Sequence, residues 1–357
     1  MKTIWTGIAA AAAMVAFSAT TVQGAAVTKA CWVYVGSVGD FGWTYEHDQG
    51  RKEVEKHFGK EVETAYVENI AEGPDAERAI TRFARSGCDI IFTTSFGYME
   101  PTLKVAKKFP NVKFEHATGY KTAKNVTSFN AKFHEGRYVS GQIAAKMSKT
   151  GVAGYITSFP IPEVIAGINA FMLGAQTVNP DFKIKIVWVN SWFDPGKEAD
   201  AAKVLLSQGA DILVQHTDST APMQIAQEQG KLAFGQASDQ YKFGPKAQLT
   251  AIIDSWGPYF IRRVQAVKDG TWKTESSWDG MKEGTVSMAP MTNMPADVAE
   301  AALKTIEGIK DGSVHPFTGP ITKQDGTVVG EAGKPLSDGE ILGMKWYVKG
   351  VDDKLQK

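Results

Sequence analysis

The sequence predicts an α/β chain built from two doubly wound lobes joined by a hinge, and three observations predict it. Cys31 to His57 reads as a buried apolar strand, a glycine-rich turn and an amphipathic helix, the opening unit of a doubly wound sheet. Strand and helix patterns alternate through five strands to Phe129 and then begin again at Phe133, which implies two parallel sheets rather than one. Only a short polar stretch around Asn130 separates the two runs. The lobes are therefore expected to exchange chain segments across a hinge.

In the first run, Cys31 to Val35 is a strand buried on both faces, and Thr44 is placed as the N-cap of the helix that follows. Strands at Glu61 to Val67, Cys88 to Thr94, Val112 to Ala117 and Val126 to Phe129 alternate with helices at Asp75 to Ser86 and Pro101 to Lys108. The second run has helices at Phe133 to Met147, Pro162 to Thr177, Lys197 to Ser207 and Pro222 to Gln229. Its strands are Gly151 to Thr157, Lys183 to Val189, Asp211 to Gln215, Lys231 to Phe234 and Leu249 to Asp254. A helix from Trp256 to Lys268, a strand near Gly284 to Met288, a helix from Pro295 to Ile309 and a hairpin turning at Asp325-Gly326 complete the chain. The expected division is 27–131 plus 256–286 for the first lobe and 132–255 plus 287–357 for the second.

The 357 residues carry 39 basic and 39 acidic side chains, a balance that gives no reason to expect nucleic acid as a partner. Residues 1–26 combine Lys2, an apolar run from Ile8 to Phe17 and small residues near Gly24, the pattern of an export signal. That run is shorter than the roughly 20 apolar residues a membrane-spanning helix requires. Cys31 follows Thr28, Lys29 and Ala30, well downstream of the run, so a lipid anchor is not expected. Cys31 and Cys88 each begin a strand, and those strands are neighbours in a doubly wound sheet. A disulfide in an exported chain is one expectation, and two small buried thiols the other.

No nucleophile elbow, zinc pair, CxxC or phosphate loop is present, and the six histidines are scattered, so an enzyme would lack a nucleophile or a metal. Gly36, Gly39 and Gly42 have the wrong spacing for a dinucleotide site and lead into an indole, Trp43. The aromatic residues at strand ends say more. Trp192 and Phe193 lie between a strand and a helix capped by Asp194, with Pro195 in its first turn, and this loop mirrors the one holding Trp43 and Tyr45. Across a two-lobed cleft Trp43 and Trp192 would sandwich a flat ring, the alternative being core or hinge packing. Each stacked face contributes about 1–3 kcal/mol, so two supply much of the roughly −8 kcal/mol of a micromolar complex. Phe96 is expected in the lining with Tyr45. Asp239 and Asp254 follow strands, and Glu163 opens a helix. They are candidates to accept hydrogen bonds from a ligand's edge, against a loop cap for Asp239 and a first-turn helix acid for Glu163.

The loop Gly36 to Trp43, FHEGRYVSGQIAAKM (Phe133 to Met147), IAGINAFMLGAQTVNP (Ile165 to Pro180), and GQASDQ followed by LTAIID together resemble the basic membrane protein (BMP) family of ABC-transporter solute-binding proteins, over nearly all of the chain after residue 26. The resemblance implies the type I periplasmic binding protein fold, a purine held between aromatic side chains from two lobes, and a permease with its ATPase as partners. It also implies a periplasmic protein with no cofactor, expected here as a monomer. Two departures bear on the cargo. The first loop has Trp43, Thr44 and Tyr45 where the family's nucleoside binders have Asn-Asp-x-Ser-Phe-Asn, and Asp254 stands where they have a ribose-binding lysine. An acceptor in place of a donor disfavours the sugar and favours a free base, adenine first. A purine nucleoside or sugar binder, a secreted purine-processing enzyme and a receptor's ligand sensor are the alternatives.

Overall fold

The computed structural model describes Met1 and residues 27–355, so the expected export signal lies outside the described residues apart from Met1. In chain order the first part holds β1 (Thr28–Val33), α1 (Trp43–Phe58), β2 (Val62–Val67), α2 (Pro74–Arg85), β3 (Ile90–Thr93), α3 (Met99–Ala106), β4 (Lys113–Ala117) and β5 (Val126–Ala131). Next come α4 (Phe133–Met147), β6 (Val152–Thr157), α5 (Pro162–Gln176), β7 (Lys183–Trp188), α6 (Pro195–Ser207), β8 (Ile212–His216), α7 (Ala221–Glu228), β9 (Leu232–Gly235) and β10 (Gln248–Asp254). The last third adds α8 (Gly257–Lys268), β11 (Ser277–Asp279), β12 (Val286–Met288), α9 (Ala296–Asp311), β13 (Ile321–Thr322), β14 (Val328–Val329), α10 (Asp338–Leu342) and β15 (Val351–Asp352).

Two sheets carry the fold, ordered β11-β5-β4-β3-β1-β2 and β12-β10-β9-β8-β6-β7-β15. All their strand pairs are parallel except β10 with β12. In each sheet the strand order reverses beside the first strand, at β1/β3 and at β6/β8. Loops leaving adjacent strands diverge there and open a crevice. The first sheet draws on residues 28–131 and 277–279, the second on 152–254, 286–288 and 351–352. The chain thus passes between the sheets three times.

Cys31 and Cys88 form a disulfide with a Cα–Cα distance of 6.1 Å, tying β1 to the start of its neighbour β3. The Glu115 carboxylate is fully buried. It accepts from Arg263 Nε at 2.7 Å and Trp272 Nε1 at 2.6 Å, with Tyr259 OH as a third donor. These bonds fasten α8 to β4 after the chain has returned from the second sheet. Thr44 is not the cap of α1: the helix begins at Trp43 behind Gly42. The Asp40 carboxylate accepts from the backbone N–H groups of Gly42, Thr44 and Tyr45 at 2.8, 3.2 and 3.0 Å. Thr44 Oγ1 instead accepts from Gly36 N at 3.1 Å.

Helices α4 and α5 meet backbone to backbone. A Cβ on Gly141 would lie 2.0 Å from the Phe171 carbonyl oxygen, and one on Gly174 would lie 2.1 Å from that of Tyr138. Neither oxygen can swing aside as a side chain would. Gly141→Ala is therefore expected to cost about 3 kcal/mol, the upper end for overpacking, measured as a lowered urea midpoint. An unchanged midpoint would contradict the close approach. Among the described residues no helix is long and apolar enough to cross a membrane.

Candidate functional site

The strand ends of the two sheets face each other around a small cavity. Val35 and Trp43 after β1, Ser95 and Phe96 after β3, and Thr118 after β4 form one wall. Glu163 after β6, Trp192 after β7, His216 and Asp218 at the end of β8, and Gln236 after β9 form the other. Four of the eight residues expected at a site, Trp43, Phe96, Glu163 and Trp192, thus line one cavity.

Trp43 is fixed on its own half. Its Nε1 donates to the Thr94 carbonyl at 2.7 Å, and its ring meets Trp256 and His47 edge to face at 5.4 and 4.4 Å. Trp192 is braced edge to face by Phe159 at 5.1 Å, and its buried Nε1 has no protein acceptor. Both indoles are half-buried. Trp43 also meets Phe133, which opens α4, at 6.0 Å, and neither indole is braced by the other.

Acids crowd the cavity's rim. Glu163 accepts from Asn130 Nδ2 at 3.1 Å across the gap between the halves, and its other oxygen stands 3.7 Å from His216 Nε2. Burial pushes Glu163 up to about 7, Asn130 opposing. Burial likewise drives the His216 imidazole well below its usual range. Asp218 is buried and receives the Trp43 backbone N–H at 3.4 Å. Its carboxyl is raised well above the usual range by burial and then by Asp40 and Glu198. Asp40 itself is raised to about 6 by burial. The N-terminus of α1 is thus gripped by one carboxyl group from each half.

The remaining expectations fare differently. Asp254 ends β10 as expected and is fully buried, but it stands outside the cavity wall. Neither of its oxygens has a protein partner. Burial, then Glu46, raises its carboxyl well above the usual range, while Arg137 opposes. Tyr45 is not among the residues that line the cavity; its ring lies tilted against Phe41 at 5.0 Å, and the Phe41 ring also meets Phe243 of the other half at 5.0 Å. Phe193 is 39% exposed and is not among the residues that line the cavity. Asp239 is the loop cap: it accepts from Tyr241 N at 3.0 Å and Gln248 Nε2 at 2.7 Å. The chain turns sharply before it, with Ala237 at φ 60° and Ser238 N bonded to the Gln236 carbonyl at 2.7 Å, so the cavity receives Gln236 instead.

His216, Asp218 and Gln236 escaped the sequence reading. Asp218 obeys the same strand-end rule that singled out Asp239 and Asp254. His216, as the last residue of β8, sits where that rule looks. The halves also touch through backbone: a Cβ on Gly42 would lie 2.6 Å from the Asp218 carbonyl oxygen, and the Phe41 carbonyl accepts from Gln240 Nε2 at 3.4 Å and from Ser238 Oγ. Among the described residues no cluster of three metal-ligating side chains occurs.

Residues 27–314 match the family model of PnrA-like ABC transporter substrate-binding proteins. A purine-binding protein of Brucella abortus (strain 2308) is 64% identical over 327 residues, covering 92% of this chain and 93% of that protein. A putative ABC transporter glucose-binding protein of Haloferax volcanii is 35% identical over 292 residues, covering 82% and 74%. Among solved structures, an ABC transporter solute-binding protein from Aeropyrum pernix K1 superposes with a TM-score of 0.70 at 18% identity, covering 81% of this chain and 92% of that one. That last likeness speaks for the fold alone.

Proposed function

The chain belongs to the PnrA-like family of ABC transporter substrate-binding proteins, and from that premise we propose that it captures a purine nucleobase, adenine before the others, and delivers it to a membrane permease. The family and the relatives are solute-binding proteins, not enzymes, so the secreted purine-processing enzyme is set aside. The observation that carries the purine proposal is a cavity walled by an indole from each half and lined by the carboxyl groups of Glu163 and Asp218. A flat heterocycle gains stacking from both indoles, about 1–3 kcal/mol per face. Its N–H groups satisfy acids that are costly to bury unpaired. Purine binding by the Brucella protein, 64% identical, supports the same cargo class.

In mechanism, cargo bridges the two lobes, 27–131 plus 256–286 and 132–255 plus 287–357, and favours their closure by binding the closed state better than the open one. The Phe41 loop seated on Ser238 and Gln240, and the Asn130–Glu163 bond, are contacts such closure makes. The protein then acts as a monomer in the periplasm with a permease and ATPase as partners, a compartment in keeping with the Cys31–Cys88 disulfide. A sugar is the second reading, favoured by the Haloferax relative, because a pyranose also stacks on indoles.

Competitive titration with adenine, hypoxanthine, guanine, adenosine, inosine and glucose decides among these cargoes. Adenine is expected to bind tightest. Tighter binding of adenosine than of adenine would refute the base preference, and glucose alone binding would refute the purine. Mass spectrometry of cargo retained through purification provides an independent answer.

A further inference from the structure

Arg137, on α4, is fully buried, yet its bond within the fold is to a neutral group: Nη2 donates to the side-chain oxygen of Gln236. Its Nε and Nη1 have no protein acceptor, and its plane lies near the Tyr155 ring, 5.6 Å from the centroid. A buried cation committed to a carboxamide is costly, and it has a directional consequence. A guanidinium carries five donors and no acceptor, so the amide atom facing it must be oxygen. The amide's donors are then on Nε2, and Gln236 is one of the residues that line the cavity.

The other polar walls are different in kind. Asp218 and Glu163 offer carboxyl oxygens, which accept hydrogen bonds when ionised and can also donate one when protonated, whereas the Gln236 amide end offers donors alone. A cargo whose rim bore only donors would suit those acids but leave the Gln236 N–H groups unmet, and an unmet buried donor weakens binding.

We propose that Gln236 is a specificity-determining contact and Arg137 its positioning residue: the guanidinium locks the carboxamide so that it presents N–H donors alone, and the site demands a cargo with a ring nitrogen or carbonyl acceptor beside its donor edge. The proposal rests on the purine reading above and deepens it. Adenine meets the demand, since ring nitrogens flank its amino group.

The test is calorimetric titration of the unaltered protein and its variants with adenine and with 1-, 3- and 7-deazaadenine, in each of which one ring nitrogen becomes C–H. In the unaltered protein one analogue is expected to bind about tenfold more weakly than adenine. Gln236→Glu keeps the shape and the bond to Arg137 but removes the N–H donors. It is expected to weaken adenine about tenfold and to bring adenine and that analogue to within about threefold of each other. A merely structural glutamine predicts an unchanged adenine affinity and an unchanged ratio in this variant, because the new carboxylate would keep the pairing with Arg137. Arg137→Met, which frees the amide to turn, is expected to shrink the same ratio. Should that variant not fold, Gln236→Glu and Gln236→Leu decide alone. Equal binding of adenine and all three analogues by the unaltered protein would overturn the proposal, as would a ratio that survives in Gln236→Glu. Failure of the unaltered protein to bind any purine would overturn the cargo reading itself, and is told apart by that absence of signal.

Discussion

Trp192→Ala is expected to weaken adenine binding by roughly 5- to 150-fold, the range set by the 1–3 kcal/mol of one stacked aromatic face, and Trp43→Ala by at least as much. The two differ in what else they disturb. Trp192 is braced mainly by Phe159 and has an indole nitrogen without a protein acceptor, so its removal reports chiefly on cargo. Trp43 also bonds the Thr94 carbonyl and packs against His47 and Trp256. Its loss to alanine is expected to reduce stability by about 3–5 kcal/mol, as for other large aromatic truncations. Trp43→Phe separates the two effects, since it keeps a stacking face while losing the bond to Thr94. The phenylalanine variant is expected to retain most of the affinity. If either alanine variant, still folded by circular dichroism, bound adenine with an unchanged Kd, that indole would have no place in the site.

The contrast between these two residues and Asp239 indicates where the sequence was legible. Helix α4 runs from Phe133 to Met147, the span its apolar pattern predicts, because a long buried helix carries many periodic positions. Strands β11 and β15 have three and two residues and no period to detect. Their pairing with β5 and β7 is decided by the second and third crossings of the chain, which no local pattern records. At the cavity, the strand-end rule points to loops that line the wall but not always to the side chain that does so. One residue at φ 60°, Ala237, turns Asp239 outward and leaves Gln236 at the wall. Similarly, Asp40 rather than Thr44 caps α1 because the glycine-rich loop folds back over the helix start, a contact between residues whose local pattern predicts a plain turn.

Glu163 is expected to give adenine and hypoxanthine opposite pH dependences. Its neighbours are Asn130 on β5, His216 at the end of β8, Arg137 on α4 and Asp254 at the end of β10. Burial raises it to about 7, with His216 held neutral. An acid raised in the folded state binds more protons folded than unfolded, so its contribution to stability falls as pH rises from about 4.5 to about 7. For the cargo-free protein that loss is about 3 kcal/mol for this group, and Glu163→Gln is expected to be the more stable protein at about pH 8. Binding has its own signs. Ionised Glu163 accepts from the adenine amino group, so adenine affinity rises with pH through about 7. Hypoxanthine carries an oxygen at that position and needs the protonated acid as donor, so its affinity falls over the same window. Asp40, Asp218, Asp254 and Glu46 are also raised, which is why the comparison must be made against Glu163→Gln, whose adenine-to-hypoxanthine ratio is expected to be flat. Titrations with both bases from about pH 5.5 to about pH 8.5 test it. The same slope in Glu163→Gln as in the unaltered protein would assign the effect to another of these acids and remove Glu163 from the cargo's edge.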